Sequence, residues 1–600
     1  MKALEYPFDG RYIIKKKKSL RRELLESGSS FIEKKVAVLG GSTTHDICAV
    51  MDLFLLNLGI RADFYESEYA QYWEDVMFDN QELTEFAPDI IYIHTSNRNI
   101  RQFPVIGQSE AEVEAMLNAD YEHFHKMWEK IEAVYHCPVI QNNFEYPFYR
   151  LLGNADATDI HGRVSYINRL NERFAAYARE HKDFFIQDIN YLSACYGLDK
   201  WADPLYWHMY KYALCMEAVP ALAYNVSNII KSIYGKNKKA LVLDLDNTLW
   251  GGIVGDDGVE NLEIGPETSM GQVYSEFQNY VKEQKNIGVI LNVCSKNDYE
   301  NAIAGLKHPD SSLSPDDFIS IKANWDPKSR NIIETANELN LLPESFVFVD
   351  DNPAEREIIA SQVPNVVTPD IGSVENYIQV LDHAGYFEVT NLSADDAKRN
   401  QMYKENAERQ KLEQSFSDYG EYLKSLDMKG TIKGFAPVYM ERIAQLTNKS
   451  NQFNLTTKRY TRAEIEEAAA SDAYIDLYGK LEDKFGDNGV VSVVIGHRES
   501  DVLHMDLWIM SCRVLKRDME FAMMDELVAQ SRKAGIRTIK GYYYPTAKNK
   551  MVRDFYQLMG FTKICEDEEG NTTWEFAVTD SYQKQNQWIR VNENEQRRNL

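Results

Sequence analysis

The chain has 600 residues, 44% of them hydrophobic and 26% charged, with a net charge of −26. That length exceeds a single core and sets a prior of three or four domains at roughly 150 residues each. The acidic balance argues against general nucleic-acid binding, because phosphate repulsion opposes it. No apolar run approaches the ~20 residues that cross a bilayer.

Read from its start, MKALEYPFDGRYIIKKKKSLRRELL places a charged run after a weak apolar segment, the reverse of a secretory signal. The expectation is a cytoplasmic protein without a membrane span. Residues 1–33 read as a basic N-terminal arm. Its KKKKSLRR run at 15–22 is either a solvated helix start or a docking patch for an acidic partner. The seven cysteines are scattered, without a CxxC pair, so neither a zinc site nor a disulfide framework is indicated.

The segment 34–235 alternates strands (KKVAVLGG, DIIYIHTSN, PVIQNNF, DFFIQDIN) with helical runs, which predicts a parallel α/β sheet. A polar hinge, GKNKK, leads to a second α/β segment, 240–385. Its strands are ALVLDLD, VILNVCS, DFISIKA and SFVFVDD. A charged linking helix spans 386–430. Residues 431–580 show a mixed α+β pattern with a helix at MEFAMMDELVAQSRKAG and another at KMVRDFYQLMG. FGDNGVV (485–491) reads as a turn before a strand, and 581–600 as a polar, frayed tail.

The central segment carries the chemistry. Parallel sheets bind ligands at the C-terminal edge of their strands. There Asp244 and Asp246 follow one strand, Ser295 a second, and Asp350 and Asp351 a third. Clustered carboxylates need a compensating cation, and oxygen ligands favour Mg²⁺. A metal beside a free carboxylate suits phosphoryl chemistry. Lys328, in NWDPK, offers a point charge to a phosphate oxygen, and Ser295 a hydrogen bond.

DLDNTLWGG, VCSKND, NWDPK and FVFVDDNPAERE resemble the four motifs of the haloacid dehalogenase (HAD) superfamily, in particular its FkbH-like, subclass IIIC branch. The resemblance extends into NKSNQFNLTTKRYT, DKFGDNGVV, MSCRVL and TAKNKMVRDFYQLMGF, covering about 240–580. It implies Asp244 as metal-bound nucleophile and Asp246 as general acid/base with its backbone carbonyl on Mg²⁺. It implies Asp350 as a metal ligand, Asp351 as a ligand or supporting acid, and Ser295 and Lys328 as phosphate holders. The short spacing between motifs leaves no room for a cap domain, so the site is expected to be open to a carrier-borne substrate. The family's role implies transfer of a D-glyceryl group from 1,3-bisphosphoglycerate, a small phosphorylated acyl donor, to the phosphopantetheine thiol of an acyl carrier protein. A plain Mg²⁺ phosphatase and a scaffold with non-catalytic flanking domains are the alternatives. An acyl transferase of this kind calls for a thiol, for which Cys294 beside Ser295 is the candidate; strand alternation favours the other reading, a thiol turned away from Ser295 and buried in the core.

GGSTT at 40–44 resembles the first block of SGNH hydrolases, with Ser42 at the serine and Gly41 in place of the acid. Asn97 matches the oxyanion asparagine. Asp203 and His208 in WADPLYWH stand five residues apart, where that family spaces them by three. The segment is expected to be an SGNH-like scaffold used for binding, with a working triad as the alternative. The third segment resembles the GNAT acetyltransferase fold through Asn549, Tyr556 and Gly560-Phe561. Lys516 and Asp518 replace glycines of its pyrophosphate loop, which points to a non-acetylating domain that handles a phosphopantetheine arm.

Overall fold

The computed structural model describes residues 1–28, 31–450, 452–546 and 548–592. The chain divides into two compact units, Met1–Lys236 with Glu388–Asn391, and Asn237–Phe387 with Leu392–Leu600. The fold class is the one expected: two parallel α/β sheets followed by an α+β sheet.

The first unit opens with helix α1 (Gly10–Glu26), capped by the Asp9 carboxylate on the amides of Arg11 and Tyr12. Strand β1 (Ile32–Gly40) follows, then α2 (His45–Asn57), β2 (Ile60–Glu66) and β3 (Ile90–His94). The long α3 (Glu110–Tyr135), β4 (Val139–Asn142), α4 (Arg163–Glu180), β5 (Phe184–Gln187), α5 (Pro204–Tyr210) and α6 (Val219–Ile233) complete it. The strands form one parallel sheet of order β2-β1-β3-β4-β5. Alternation along β1 sends Val36 and Val38 to a core shared with α2 and α6, and Ala37 and Leu39 to a core shared with α3 and α4.

The basic arm expected at 1–33 is instead part of this core. Ile13, Leu20 and Leu24 recur on one face of α1 and are buried in the same cluster as α2 and α6. Lys17 on the same stripe pairs with Asp46 and Arg21 Nε at its border reaches Asp52 Oδ2 at 2.6 Å, while Lys15, Lys16, Lys18 and Arg22 are exposed.

In the second unit, β6 (Ala240–Leu243), α7 (Ser269–Gln284), β7 (Ile290–Ser295), α8 (Tyr299–Leu306), β8 (Ser320–Ala323), α9 (Lys328–Glu338), β9 (Phe346–Val349) and α10 (Pro353–Gln362) build a four-stranded parallel sheet of order β8-β7-β6-β9. The linking helix α11 (Arg399–Glu413) buries Tyr403 in the core of this sheet. One turn and a half further on, Arg409 makes a bidentate pair with Asp483 at 2.7 and 2.8 Å.

Asp483 ends the second strand of the last sheet. That sheet contains β10 (Lys429–Lys433), β11 (Tyr474–Asp483), β12 (Gly486–Glu499), β13 (Val502–Met510), β14 (Thr538–Tyr543), β15 (Thr562–Glu566), β16 (Thr572–Ala577) and β17 (Arg590–Val591). Its order is β15-β16-β14-β13-β12-β11-β10-β17, antiparallel except for the β13–β14 and β10–β17 pairs. Helices α12 (Tyr419–Ser425), α13 (Met440–Lys449), α14 (Arg462–Ala470) and α15 (Met519–Lys533) cover it.

Three expectations change here. FGDNGVV is mostly strand: the hairpin loop is confined to Lys484 and Phe485, whose following amides bond Asp483 Oδ1, and a register shift near Gly489 (φ 68°) absorbs the glycines. KMVRDFYQLMG forms a 3₁₀ turn and a single helical turn, Phe555–Leu558, rather than one continuous helix. The tail is ordered to residue 592. The Asp525 carboxylate accepts from the Tyr582 hydroxyl and the amides of Gln585 and Asn586, and β17 then pairs with β10. The rest of the tail lies outside the described residues.

Candidate active site

The register of the central sheet sets Leu243 beside Val349, so the next residues, Asp244 and Asp350, leave the sheet abreast. The Asp244 amide donates to the Val349 carbonyl at 2.9 Å. The left-handed backbone of Asn247 (φ 55°) then turns the chain away, a conformation asparagine tolerates. The side-chain oxygens of Asp244, Asp350 and Asp351 all lie within 4.8 Å of one another. Lys328, the first residue of α9, reaches into the group: its Nζ stands 2.6 Å from Asp350 Oδ2 and 3.1 Å from Asp244 Oδ1. The buried Asp244 Oδ1 has no hydrogen-bond partner, so its contact with Lys328 is an ion pair without hydrogen-bond alignment.

Electrostatics follow from this crowding. Burial raises the Asp350 pKa, and the charge of Asp244 adds to the rise despite the opposing Lys328. Burial and Asp244 likewise raise Asp351. Burial works against the Lys328 ammonium, but Asp244 and Asp350 outweigh it and hold its pKa above the usual lysine range. Three carboxylates against one ammonium leave two negative charges uncompensated. All the donors are hard oxygens, so the set fits a divalent cation of the Mg²⁺ type.

Asp246 stands apart from the carboxylate group. Its Oδ1 accepts from Trp250 Nε1 at 2.9 Å and from the Val254 amide at 3.1 Å; its Oδ2 accepts from Asn297 Nδ2 at 2.9 Å. Its carboxylate is thus not among the three clustered acids. Ser295, the last residue of β7, is buried at the same sheet edge. Cys294 faces the other way, into the hydrophobic core, where burial pushes its thiol up to about 12. That environment keeps the thiol protonated and unreactive.

Several supporting residues were not singled out from sequence. Asn297 orients Asp246. The buried Thr248 accepts the Asp351 amide at 3.2 Å, and Arg356 donates to the carbonyls of Asp350 and Asp351 at 2.7 and 2.9 Å. Asn297 and Arg356 both lie inside the motif stretches already noted, but their roles need the fold to be seen.

In the first unit, Ser42 follows β1 and is buried, with its Oγ unpartnered. Asn97 Nδ2 donates to Glu145 Oε1 at 2.7 Å. Asp203 is the N-cap of α5, accepting from the amides of Leu205 and Tyr206, and His208 is exposed on that helix. No hydrogen bond or ion pair joins Ser42, Asp203 and His208, so the triad weighed from sequence is not assembled. The imidazole next to the Ser42 turn in the sheet is that of His94, whose carbonyl accepts the Gly41 amide. Burial lowers the His94 pKa to about 4, and its Nε2 has no partner.

Residues 35–231 match the family model described as FkbH, N-terminal domain. That stretch of the first unit is therefore similar to the FkbH N-terminal domain. Among solved structures, it is similar to the N-terminal part of a Bacteroides fragilis protein containing a phosphatase domain, complexed with Mg. That match has 28% identity and a TM-score of 0.58, over 62% of this chain and 99% of that one. A GNAT-family acetyltransferase from Streptococcus pneumoniae aligns at 15% identity and a TM-score of 0.22, over 25% of this chain and all of its own (100%). The ribosomal-protein-S18-alanine N-acetyltransferase from Escherichia coli aligns at 11% and 0.20, over 26% of this chain and 99% of its own. None of the curated proteins matches the chain. Among the described residues, no helix is long and apolar enough to cross a membrane.

Proposed function

We propose that this FkbH-like enzyme is Mg²⁺-dependent and moves a glyceryl-type acyl group from an acyl phosphate, 1,3-bisphosphoglycerate, to the phosphopantetheine arm of an acyl carrier protein, with release of phosphate. The observation that carries the reading is the meeting of Asp244, Asp350, Asp351 and Lys328 at one sheet edge. The three carboxylates would hold the cation, and the unpartnered Asp244 Oδ1 is a ready ligand atom. When bound, Mg²⁺ neutralises charge on the phosphate oxygens.

In this reading Asp244, kept in place by the Val349 carbonyl and the Lys328 ammonium, attacks the phosphorus of the 3-phosphate, and water then frees that phosphate from the aspartyl group. The carrier thiol attacks the C1 acyl carbon and expels the acyl phosphate as a second phosphate. Asp246, fixed by Trp250, Val254 and Asn297, moves the proton to or from the leaving oxygen. Ser295 and Lys328 bind the phosphate. Between Asp246 and Ser295 lie only a helical turn at Val254–Asp257, two 3₁₀ turns, α7 and β7 itself; between Lys328 and Asp350 lie only α9, a short turn and β9. The absence of an inserted cap domain there supports a substrate that arrives on a carrier. Cys294 is not the acyl acceptor in this reading, because its thiol is buried in the core.

A plain Mg²⁺ phosphatase is the second reading, favoured by the phosphatase domain of the Bacteroides fragilis neighbour. Incubation with Mg²⁺, 1,3-bisphosphoglycerate and candidate carriers separates the two by intact mass. A glyceryl adduct on the carrier, lost in Asp244→Asn, supports transfer. Phosphate release that is indifferent to every carrier supports the phosphatase. No phosphate release in any combination removes both.

A further inference from the structure

A second polar cavity lies in the same unit, on the opposite edge of the central sheet from Asp244. Lys239 immediately precedes β6 and Asp244 immediately follows it. Five residue steps at about 3.3 Å each separate them by roughly 16 Å. The same holds for β9, with Ser345 before it at the cavity and Asp350 after it at the carboxylate group.

The cavity measures about 100 Å³ and is lined by four cationic side chains, Lys239, Arg399, Arg442 and Arg513. Glu344 is the single acid in its wall, and that carboxylate already takes Lys548 Nζ at 2.5 Å. Tyr403 and Cys512 also line it and share a hydrogen bond. Lys239 is the informative member. Among the described residues its ammonium has neither an ion pair nor a hydrogen bond. Burial lowers its pKa, and the repulsion of Arg399 and Lys548 adds to that against the pull of Cys512 and Glu344. An enclosed cation without a counter-ion is costly, and an entering anion removes that cost. The volume holds a few waters or one tetrahedral oxyanion, and excludes a nucleotide.

We propose that this cavity is a second ligand site that takes a phosphate group, either free phosphate or the end of a small phosphomonoester, against Lys239, Arg399 and Arg442. The site is independent of the chemistry assigned to the Asp244 centre. It also places a thiol, Cys512, within the same positive field, whereas Cys195 and Cys565 are exposed and serve as references.

The test is alkylation of the full chain in the presence of EDTA, with each cysteine read by peptide mass spectrometry. Relative to Cys195 and Cys565, Cys512 is expected to prefer the anionic iodoacetate over neutral iodoacetamide several-fold. Inorganic phosphate is expected to slow labelling of Cys512 alone. Glycerol 3-phosphate protecting at lower concentration than inorganic phosphate identifies a phosphomonoester site; the reverse identifies free phosphate. Lys239→Met is expected to abolish protection and Lys239→Arg to keep it, while Asp244→Asn leaves it intact. Continued resistance of the buried Cys48 and Cys294 to both reagents shows that each variant is folded. Equal protection of all three thiols, or protection that survives Lys239→Met, overturns the proposal. Where Cys512 resists both reagents, the phosphate-induced rise in melting temperature decides: a rise in the wild type that Lys239→Met lacks supports the site, and equal responses overturn it.

Discussion

Lys328 is the residue on which the carboxylate group balances. Its Nζ is the one cation within 3.1 Å of both Asp244 and Asp350, and all three side chains are buried. Lys328→Met leaves two facing carboxylates without compensation, and breaking a buried pair in this way costs about 3–5 kcal/mol. Denaturant unfolding in EDTA measures the loss. Added Mg²⁺ is expected to restore more stability to the variant than to the wild type, and an equal response would contradict the charge argument. Glu145 sets a pH dependence in the first unit. Burial raises its pKa to about 8 from an ordinary 4.5, against the opposing hydrogen bonds from Asn97. Between those values the folded state holds a proton that the unfolded chain gives up. Its contribution is therefore full below pH 4.5 and is lost as pH rises through 8, by up to about 1.4 kcal/mol per pH unit. Unfolding of wild type and Glu145→Gln from pH 5 to pH 9 checks this; the wild type is expected to weaken relative to the variant as pH rises, and parallel profiles would contradict it.

At the scale of elements, α1 shows what a charge run conceals. KKKKSLRR dominates the sequence, yet Leu20 within it and Leu24 beyond it are core residues. Leu20→Ala is expected to cost about 2–5 kcal/mol in denaturant unfolding, as a buried leucine does, whereas exposed Lys16→Ala stays within about 0.5 kcal/mol. Equal effects would return the segment to a solvated arm. Helix α11 has a similar anchor at its far end. Asp483 accepts both Arg409 and Arg517, at 2.7–3.1 Å, in a site from which water is excluded. Asp483→Asn leaves two buried guanidinium groups sharing a neutral partner. It is expected to lower stability by about 3–5 kcal/mol, measured by thermal or urea unfolding of the intact chain. Charge patterning alone leaves KKKKSLRR as a solvated helix start or a docking patch. Only the burial of Leu20 and Leu24 reverses that.

For the molecule as a whole, the two units and the three sheets follow the alternation of strand and helix patterns along the chain. The hairpin of β15 and β16 did not emerge from that pattern. Every residue of β15 is exposed, so no buried face marks it, and an acidic loop, EDEEGN, hides the repeat. The tail strand β17 has two residues and exists through its pairing with β10.

The sequence by itself determined the fold class and the carboxylates of the central motifs. Apolar strands that end in acids are written locally, and a parallel sheet brings strand ends to one edge whatever the details of packing. It also determined that Cys294 points away from Ser295, because strand alternation is a local rule. What only the tertiary structure decided depends on distant partners. Lys328 bridges Asp244 and Asp350 because β6 and β9 pair in one particular register. Ser42, Asp203 and His208 stay apart because Asp203 is committed to capping a helix. The cavity at Lys239 gathers four cations, Lys239, Arg399, Arg442 and Arg513, that lie far apart in the sequence, so no local motif announces them.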